Sequence, residues 1–260
     1  MLLFRIFAAC LIAAISAVAQ PPTRGARNVA MGHIHLNSAD PDTAIAFWTE
    51  VLGASSYSHE SLKGVSLLGA IILFTPVAPS GPSAGSAIDH IGFRVPDLQP
   101  LIDKLAKTGY KSFQPGAGGD RLMIDGPDGV RIELIEDSSE YAGMEFDHLH
   151  FYSTQPKDMQ AWYAKNFGAR PGRGGTADSS NIAGTTLSWA RADSPVPTAG
   201  RAIDHVAFEI KGLEAFCKKL VDNGIKLDSP YQSVPEIKLS NAFLTDPWGT
   251  RIELTEGLAP

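Results

Sequence analysis

The sequence predicts an α+β protein made of four strand-helix-strand-strand-strand units arranged as two domains. Three observations point there. A histidine opens a strand-like segment four times, in Gly32-His33-Ile34-His35-Leu36, Asp89-His90-Ile91, Asp147-His148-Leu149 and Asp204-His205-Val206. The intervals His33 to His90 and His148 to His205 are both 57 residues and His33 to His148 is 115 residues, so the chain repeats at two levels. After each such segment the apolar residues change from alternation to helical spacing and back again, the mark of strand, helix, strand.

The chain has 260 residues, enough for two domains that each bury a core, and the longer repeat sets their limits at 29 to 137 and 145 to 257. Residues 1 to 19 have the form of a secretory signal peptide. Arg5 supplies the positive start, Ile6 to Ala19 are apolar but too short to span a bilayer, and Ala17-Val18-Ala19 is a small-x-small cleavage site. The expected location is therefore secreted or periplasmic, with no membrane contact after cleavage. Removing the signal leaves Cys217 as the one cysteine, so no intrachain disulfide can form. The remaining chain has 21 Lys and Arg against 28 Asp and Glu, and no basic cluster longer than a pair. That balance argues against a nucleic-acid partner.

In the first unit, Val29 to Ser38 alternates as a strand and carries His33 and His35 on one face. Asp40-Pro41 supplies a cap and a first-turn proline for a helix whose Ala44, Ile45, Trp48, Val51 and Leu52 share a face, until Gly53 ends it. Tyr57 to Thr75 holds two or three antiparallel strands, and Pro76 to Ser86 is a Pro/Gly/Ser linker. The second unit has a strand from Ile88 to Val95, a helix with Leu98, Leu101, Ile102 and Leu105, a hairpin at Gly126-Pro127-Asp128-Gly129, and a strand from Val130 to Ile135. Asp137 to Gly143 joins the domains.

The third unit repeats the order with His148 and His150, a helix from Pro156 to Gly168, and strands within Ile182 to Ala190. Asp193 to Gly200 is a second linker. The fourth unit starts at His205, packs a helix through Leu213, Phe216, Cys217 and Leu220, turns at Asp246-Pro247-Trp248-Gly249 and ends in the strand Thr250 to Thr255. Cys217 on an apolar helix stripe is a core thiol, and Trp48 and Trp162 are core aromatics.

Arg131-Ile132-Glu133-Leu134 and Arg251-Ile252-Glu253-Leu254 are the same final strand in the two halves. A carboxylate between apolar neighbours is costly unless something pairs with it, and a metal ion is a suitable partner. Each half then offers two histidines on separate strands and a glutamate on a third: His33, His90 and Glu133, then His148, His205 and Glu253. That set leaves coordination positions open. A lone histidine at a strand start is ordinarily a hydrogen-bonded core or rim residue, and it is the repetition at four equivalent positions that favours ligation. His35 and His150 have no counterpart in the other units, where Gly92 and Ala207 stand instead. On the same face about 6 to 7 Å further along the strand, they are too far for easy co-ligation and suit proton transfer or substrate contact. Arg131 and Arg251 either meet an anionic substrate group or form a charge pair at the rim.

The Asp-His strand openings, the helix starts Asp40-Pro41 and Asp97-Leu98, and the hairpin-Arg-Ile-Glu-Leu endings resemble the vicinal oxygen chelate superfamily, the group of glyoxalase I, bleomycin-resistance and fosfomycin-resistance proteins and extradiol dioxygenases. The resemblance covers residues 29 to 257 as two tandem domains. It implies paired βαβββ units curled into two incomplete barrels, each binding one divalent metal, Fe, Zn, Ni or Mn. First-strand ligands would be His33 and His148, fifth-strand ligands His90 and His205, and last-strand ligands Glu133 and Glu253. The implied chemistry is metal-assisted chelation of a small oxygen-rich substrate, giving a lyase, isomerase or dioxygenase. A binding protein of the bleomycin-resistance type is the alternative. Glyoxalase I adds a carboxylate near the end of the first unit, where this chain has Ile71-Ile72-Leu73-Phe74 and Leu187-Ser188-Trp189, and extradiol dioxygenases add a tyrosine where Met123 and Phe243 stand. Whether units pair within one chain or are exchanged in a homodimer is open at this level.

Overall fold

On β1 (Val29–Asn37) Ile34 and Leu36 enter the core while His33 and His35 face away from it, and this alternation sets the plan of the molecule. The computed structural model describes residues 28–115, 118–138, 143–174 and 177–258. The signal segment, residues 1 to 19, lies outside the described residues, as does most of the expected domain joint.

Unit one continues with α1 (Pro41–Ala46), a π-helical turn over Phe47–Val51, β2 (Ser55–His59), β3 (Leu62–Leu67) and β4 (Ala70–Thr75). Asp40 caps the helix by accepting from the Thr43 backbone N–H at 3.1 Å, and Pro41 occupies the first turn. Unit two comprises β5 (Ile88–Val95), α2 (Gln99–Leu105), β6 (Lys111–Phe113), β7 (Arg121–Asp125) and β8 (Arg131–Glu136). Unit three comprises β9 (Glu145–Ser153), α3 (Pro156–Phe167), β10 (Arg170–Gly174), β11 (Ala177–Ile182) and β12 (Thr185–Arg191). Unit four comprises β13 (Ile203–Ile210), α4 (Leu213–Asp222), β14 (Ser229–Val234), β15 (Leu239–Thr245) and β16 (Arg251–Glu256). The strands of unit three extend well before Ile182. β10 and β11 pair at the outer edge of a sheet, where a largely polar run of Gly, Arg and Ser can pair without the apolar alternation that marks inner strands.

The units combine into two eight-stranded sheets, ordered β14-β15-β16-β13-β1-β4-β3-β2 and β10-β11-β12-β9-β5-β8-β7-β6. The expected grouping by halves is therefore replaced by a nested one. Units one and four build the outer sheet, and units two and three build the inner one. In each sheet the two first strands meet at the centre in antiparallel pairing, β1 with β13 and β5 with β9, and each unit returns its last strand parallel to its first.

The reason lies in the linkers. Both long Pro/Gly segments cross from one sheet to the other and run side by side, with Ser80 N–H donating to Gly200 O at 2.7 Å, Ala202 N–H to Gly81 O at 3.0 Å and Ala87 N–H to Val196 O at 2.8 Å. Neither sheet closes into a barrel. One face of each lies in a shared core, where Trp48 packs on Phe93 at 5.8 Å between ring centroids and Phe208 packs on Phe167 of α3 at 5.1 Å. Cys217 belongs to that core, and burial pushes its thiol up to about 11. The other face of each sheet forms a cleft.

Nesting has a direct test. Residues 20–140 and 141–260, expressed separately, should each fail to give a monomeric folded domain, because each exposes the β1, β5, β9 or β13 edge that its partner covers. Size-exclusion chromatography and circular dichroism decide it: a monomeric, folded half that binds a metal ion is incompatible with this strand order.

Candidate metal centres

The central strand pairing brings histidines from both halves of the chain to one point in each cleft. In the inner sheet, Glu133 Oε2 lies 3.4 Å from His90 Nε2 and 3.3 Å from His148 Nε2, and the two ring nitrogens are 3.4 Å apart. In the outer sheet, Glu253 Oε2 lies 3.2 Å from His205 Nε2 and 3.1 Å from His33 Nε2. The sequence reading named these six residues as candidate ligands but grouped them by halves. The structure groups His90, His148 and Glu133, and His33, His205 and Glu253.

These atoms face one another in a manner suited to an ion. His33 Nε2 is close to Glu253 yet makes no aligned hydrogen bond, and both nitrogens of His33 are buried without a hydrogen-bond partner. A buried acceptor left unmade costs about 1–3 kcal/mol, so such atoms call for a ligand. Donors about 2.1 Å from a common ion at tetrahedral angles stand roughly 3.4 Å apart, close to the inner triangle. The residues thus fit a divalent metal.

Supporting groups orient each ligand. Asp89, Asp147 and Asp204 accept from Nδ1 of the histidine that follows each of them, at 2.8, 2.8 and 2.7 Å. An Nδ1–H held by a carboxylate leaves the Nε2 lone pair for the metal. His33 follows Gly32 instead, where a Cβ would meet the Ala207 carbonyl oxygen at 3.1 Å. The second oxygen of each glutamate is also held: Arg121 Nη1 donates to Glu133 Oε1 at 2.7 Å, and Asn241 Nδ2 donates to Glu253 Oε1 at 3.0 Å. Each carboxylate therefore turns one oxygen to the cleft. Arg121 and Asn241 escaped the sequence reading, although both stand twelve residues before their glutamate, a repeat the histidine comparison could have been extended to.

The electrostatics follow from these contacts. Burial pushes the Glu133 and Glu253 carboxyls up, and hydrogen bonds from the neighbouring histidines outweigh it, holding both well below the usual range. Burial lowers His148 and His205, but their carboxylate partners raise them further than burial depresses them. Burial, with the like charges of His90 and His148, lowers His150 to about 3, and burial with His205 and His33 lowers His35 well below its ordinary value. His35 and His150 also lie close to candidate ligands on the neighbouring strand, with ring centroids 4.6 Å from His205 and 4.4 Å from His90. Ring nitrogens of His33, His35 and His205 and an oxygen of Glu253 lie within 4.8 Å of one another, as do ring nitrogens of His90, His148 and His150.

Arg131 and Arg251 are charge pairs. Arg131 Nε is 3.0 Å from Asp125, and Arg251 Nη1 is 2.6 Å from Asp204, the carboxylate that orients His205. Beside His35 opens a cavity of about 520 Å³ lined by Pro41, Leu62, Lys63, Phe74 and Thr75, the size of a small-molecule pocket.

A model of the Glyoxalase/Bleomycin resistance protein/Dioxygenase superfamily matches residues 30–134 and 145–254. A probable lactoylglutathione lyase of Vibrio cholerae is 31% identical over 130 residues, 44% of this chain and 94% of that protein. Among solved structures, glyoxalase I from Zea mays superposes with a TM-score of 0.67 at 17% identity, covering 88% of this chain and 92% of the other. A putative dioxygenase from Bacillus subtilis superposes with a TM-score of 0.63 at 15% identity, covering 88% and 86%. At these identities the two structures share the fold.

Gly92 stands directly opposite His148, and a Cβ there would fall inside the imidazole. Gly92→Ala should displace that ring, remove the inner ion while sparing the outer one, and destabilise the fold by about 1–3 kcal/mol. Metal stoichiometry falling from two ions per chain to one, together with a lowered melting temperature, is the expected result.

Proposed function

The chain belongs to the Glyoxalase/Bleomycin resistance protein/Dioxygenase superfamily, and on that premise we propose that it is an exported, metal-dependent enzyme that chelates a small oxygen-rich substrate through neighbouring oxygens and acts as a lyase, isomerase or dioxygenase. The observation that carries this is the convergence of His33, His205 and Glu253, and of His90, His148 and Glu133, as buried groups. A divalent ion held there supplies Lewis-acid polarisation of a chelated oxygen. The protein's own contribution is positional. Asp89, Asp147 and Asp204 fix their histidines' tautomers, Arg121 and Asn241 hold each glutamate to one donor oxygen, and the buried setting strengthens every charge in the site. His35 and His150 act at the same point, within reach of anything bound there.

The cavity beside His35 has Lys63 and Asp42 at its wall to meet polar substituents and Leu62 and Phe74 to cover an apolar one. The name of the Vibrio relative supports the lyase branch. Leu73 and Ser188, which stand in register beside His35 and His150, put no carboxylate where glyoxalase I has its additional ligand, and this favours a reaction other than glutathione-linked glyoxalase chemistry.

Two experiments test the proposal. Purified protein reloaded in turn with Fe, Mn, Ni or Zn should bind two ions per chain and turn over either a hemithioacetal or a catechol, the latter read by oxygen uptake, with activity lost on chelation. Failure to retain any of these ions rejects the enzyme, and tight binding of a small ligand without turnover identifies a sequestering protein instead. Export is tested by N-terminal sequencing of protein recovered outside the cytoplasm: a mature terminus at Gln20 is expected, and retention of Leu2 or Leu3 rejects cleavage.

A further inference from the structure

His35 and His150 lie two residues beyond a proposed ligand, with ring centroids 5.6 and 5.8 Å from it, and each also meets a proposed ligand on the neighbouring strand. The pairing of β1 with β13 is irregular between Met31 and Ile34 and between His35 and Leu36, and that of β5 with β9 is irregular between Ile88 and His90 and between Gly92 and Phe93. Irregularities of this kind add twist and re-aim the side chains beside them. His35 consequently stands opposite His205, and His150 opposite His90. The rings overlap, with centroids 4.6 Å apart at 29° in the outer pair and 4.4 Å apart at 35° in the inner.

One nitrogen of each additional ring is buried and lacks a hydrogen-bond partner, His35 Nδ1 in the outer cleft and His150 Nε2 in the inner. The other nitrogen of His35 is 2.7 Å from the Thr75 hydroxyl, and donation from Nε2 to that oxygen leaves Nδ1 as the free lone pair. Buried polar atoms without partners are rare, and the same kind of orphan occurs at equivalent places in both clefts.

We propose that His35 and His150 are protein ligands: His33, His35, His205 and Glu253 form a three-histidine, one-carboxylate site in the outer cleft, and in the inner His150 joins His90 and His148, the two histidines that Glu133 meets. The inference rests on the metal-enzyme reading above and specifies its donor set, replacing the proton-transfer role that strand spacing alone suggested. Beside four protein donors, an ion that takes six ligands keeps two positions, the number a substrate chelating through two oxygens requires.

The test begins with the unaltered full-length mature protein, stripped with a chelator and reloaded with cobalt(II) or manganese(II) alone. X-ray absorption should count three imidazoles per ion, and a count of two overturns the inference. The double variant His35→Ala, His150→Ala should then bind the same ions more than about 100-fold more weakly, beyond the 10–100-fold that losing an outer-sphere partner costs. Unchanged affinity in a variant with native circular dichroism overturns it. Failure of the unaltered protein to bind either ion overturns the metal-enzyme reading as well, so the two failures are distinguishable.

Discussion

Both clefts depend on the antiparallel contact between first strands, β1 with β13 and β5 with β9. It sets imidazoles from distant parts of the chain face to face, and last strands lying parallel on either side bring in the glutamate. Burying so many polar atoms is expensive. The unpartnered nitrogens of His33, His35 and His150 each cost about 1–3 kcal/mol. Binding of structural zinc in small peptides is worth roughly 10–16 kcal/mol, which comfortably exceeds such a sum. The arrangement makes thermodynamic sense with a bound ion and little without one.

The two clefts are variations on that plan, and their differences are chemical. Both inner histidines are oriented by a preceding aspartate, whereas in the outer cleft Gly32 takes that place before His33 because β1 runs too close to Ala207. Glu133 shares its second oxygen with the half-exposed cation of Arg121, and Glu253 with the neutral amide of Asn241. The Thr75 hydroxyl holds His35, while Ala190 occupies the corresponding place on β12 near His150. The inner site is thus the more firmly oriented and the more highly charged.

Much of this was legible from residues alone because repetition exposes what a single copy hides. Four histidines and two glutamates in equivalent settings singled out side chains that the structure brings together, and the Asp40-Pro41 cap and Trp48 stripe placed the first helix and its core face correctly. The partnership of units was not legible. All four units share one element order, and which of them pair is seen only in the strand order of the sheets. The closeness of His35 to His205 and of His150 to His90 was not legible, because it depends on which first strands pair across the sheet. The hairpin of β10 and β11 was missed because an edge strand needs no apolar face.

Nested pairing also orders assembly in time. The inner sheet is contained in one continuous stretch, from β5 to β12, and its cleft is complete once the chain has emerged as far as Arg191. The outer sheet joins the two ends of the molecule. Unit one, first to appear, must wait with the edge of β1 uncovered until β13 and β16 arrive, a contact spanning well over a hundred residues, and long-range pairings of this kind form slowly. The inner half can thus serve as a finished scaffold that holds the two linkers side by side and delivers the termini to each other. A chain interrupted before its last strands would retain one whole cleft and leave the other half built.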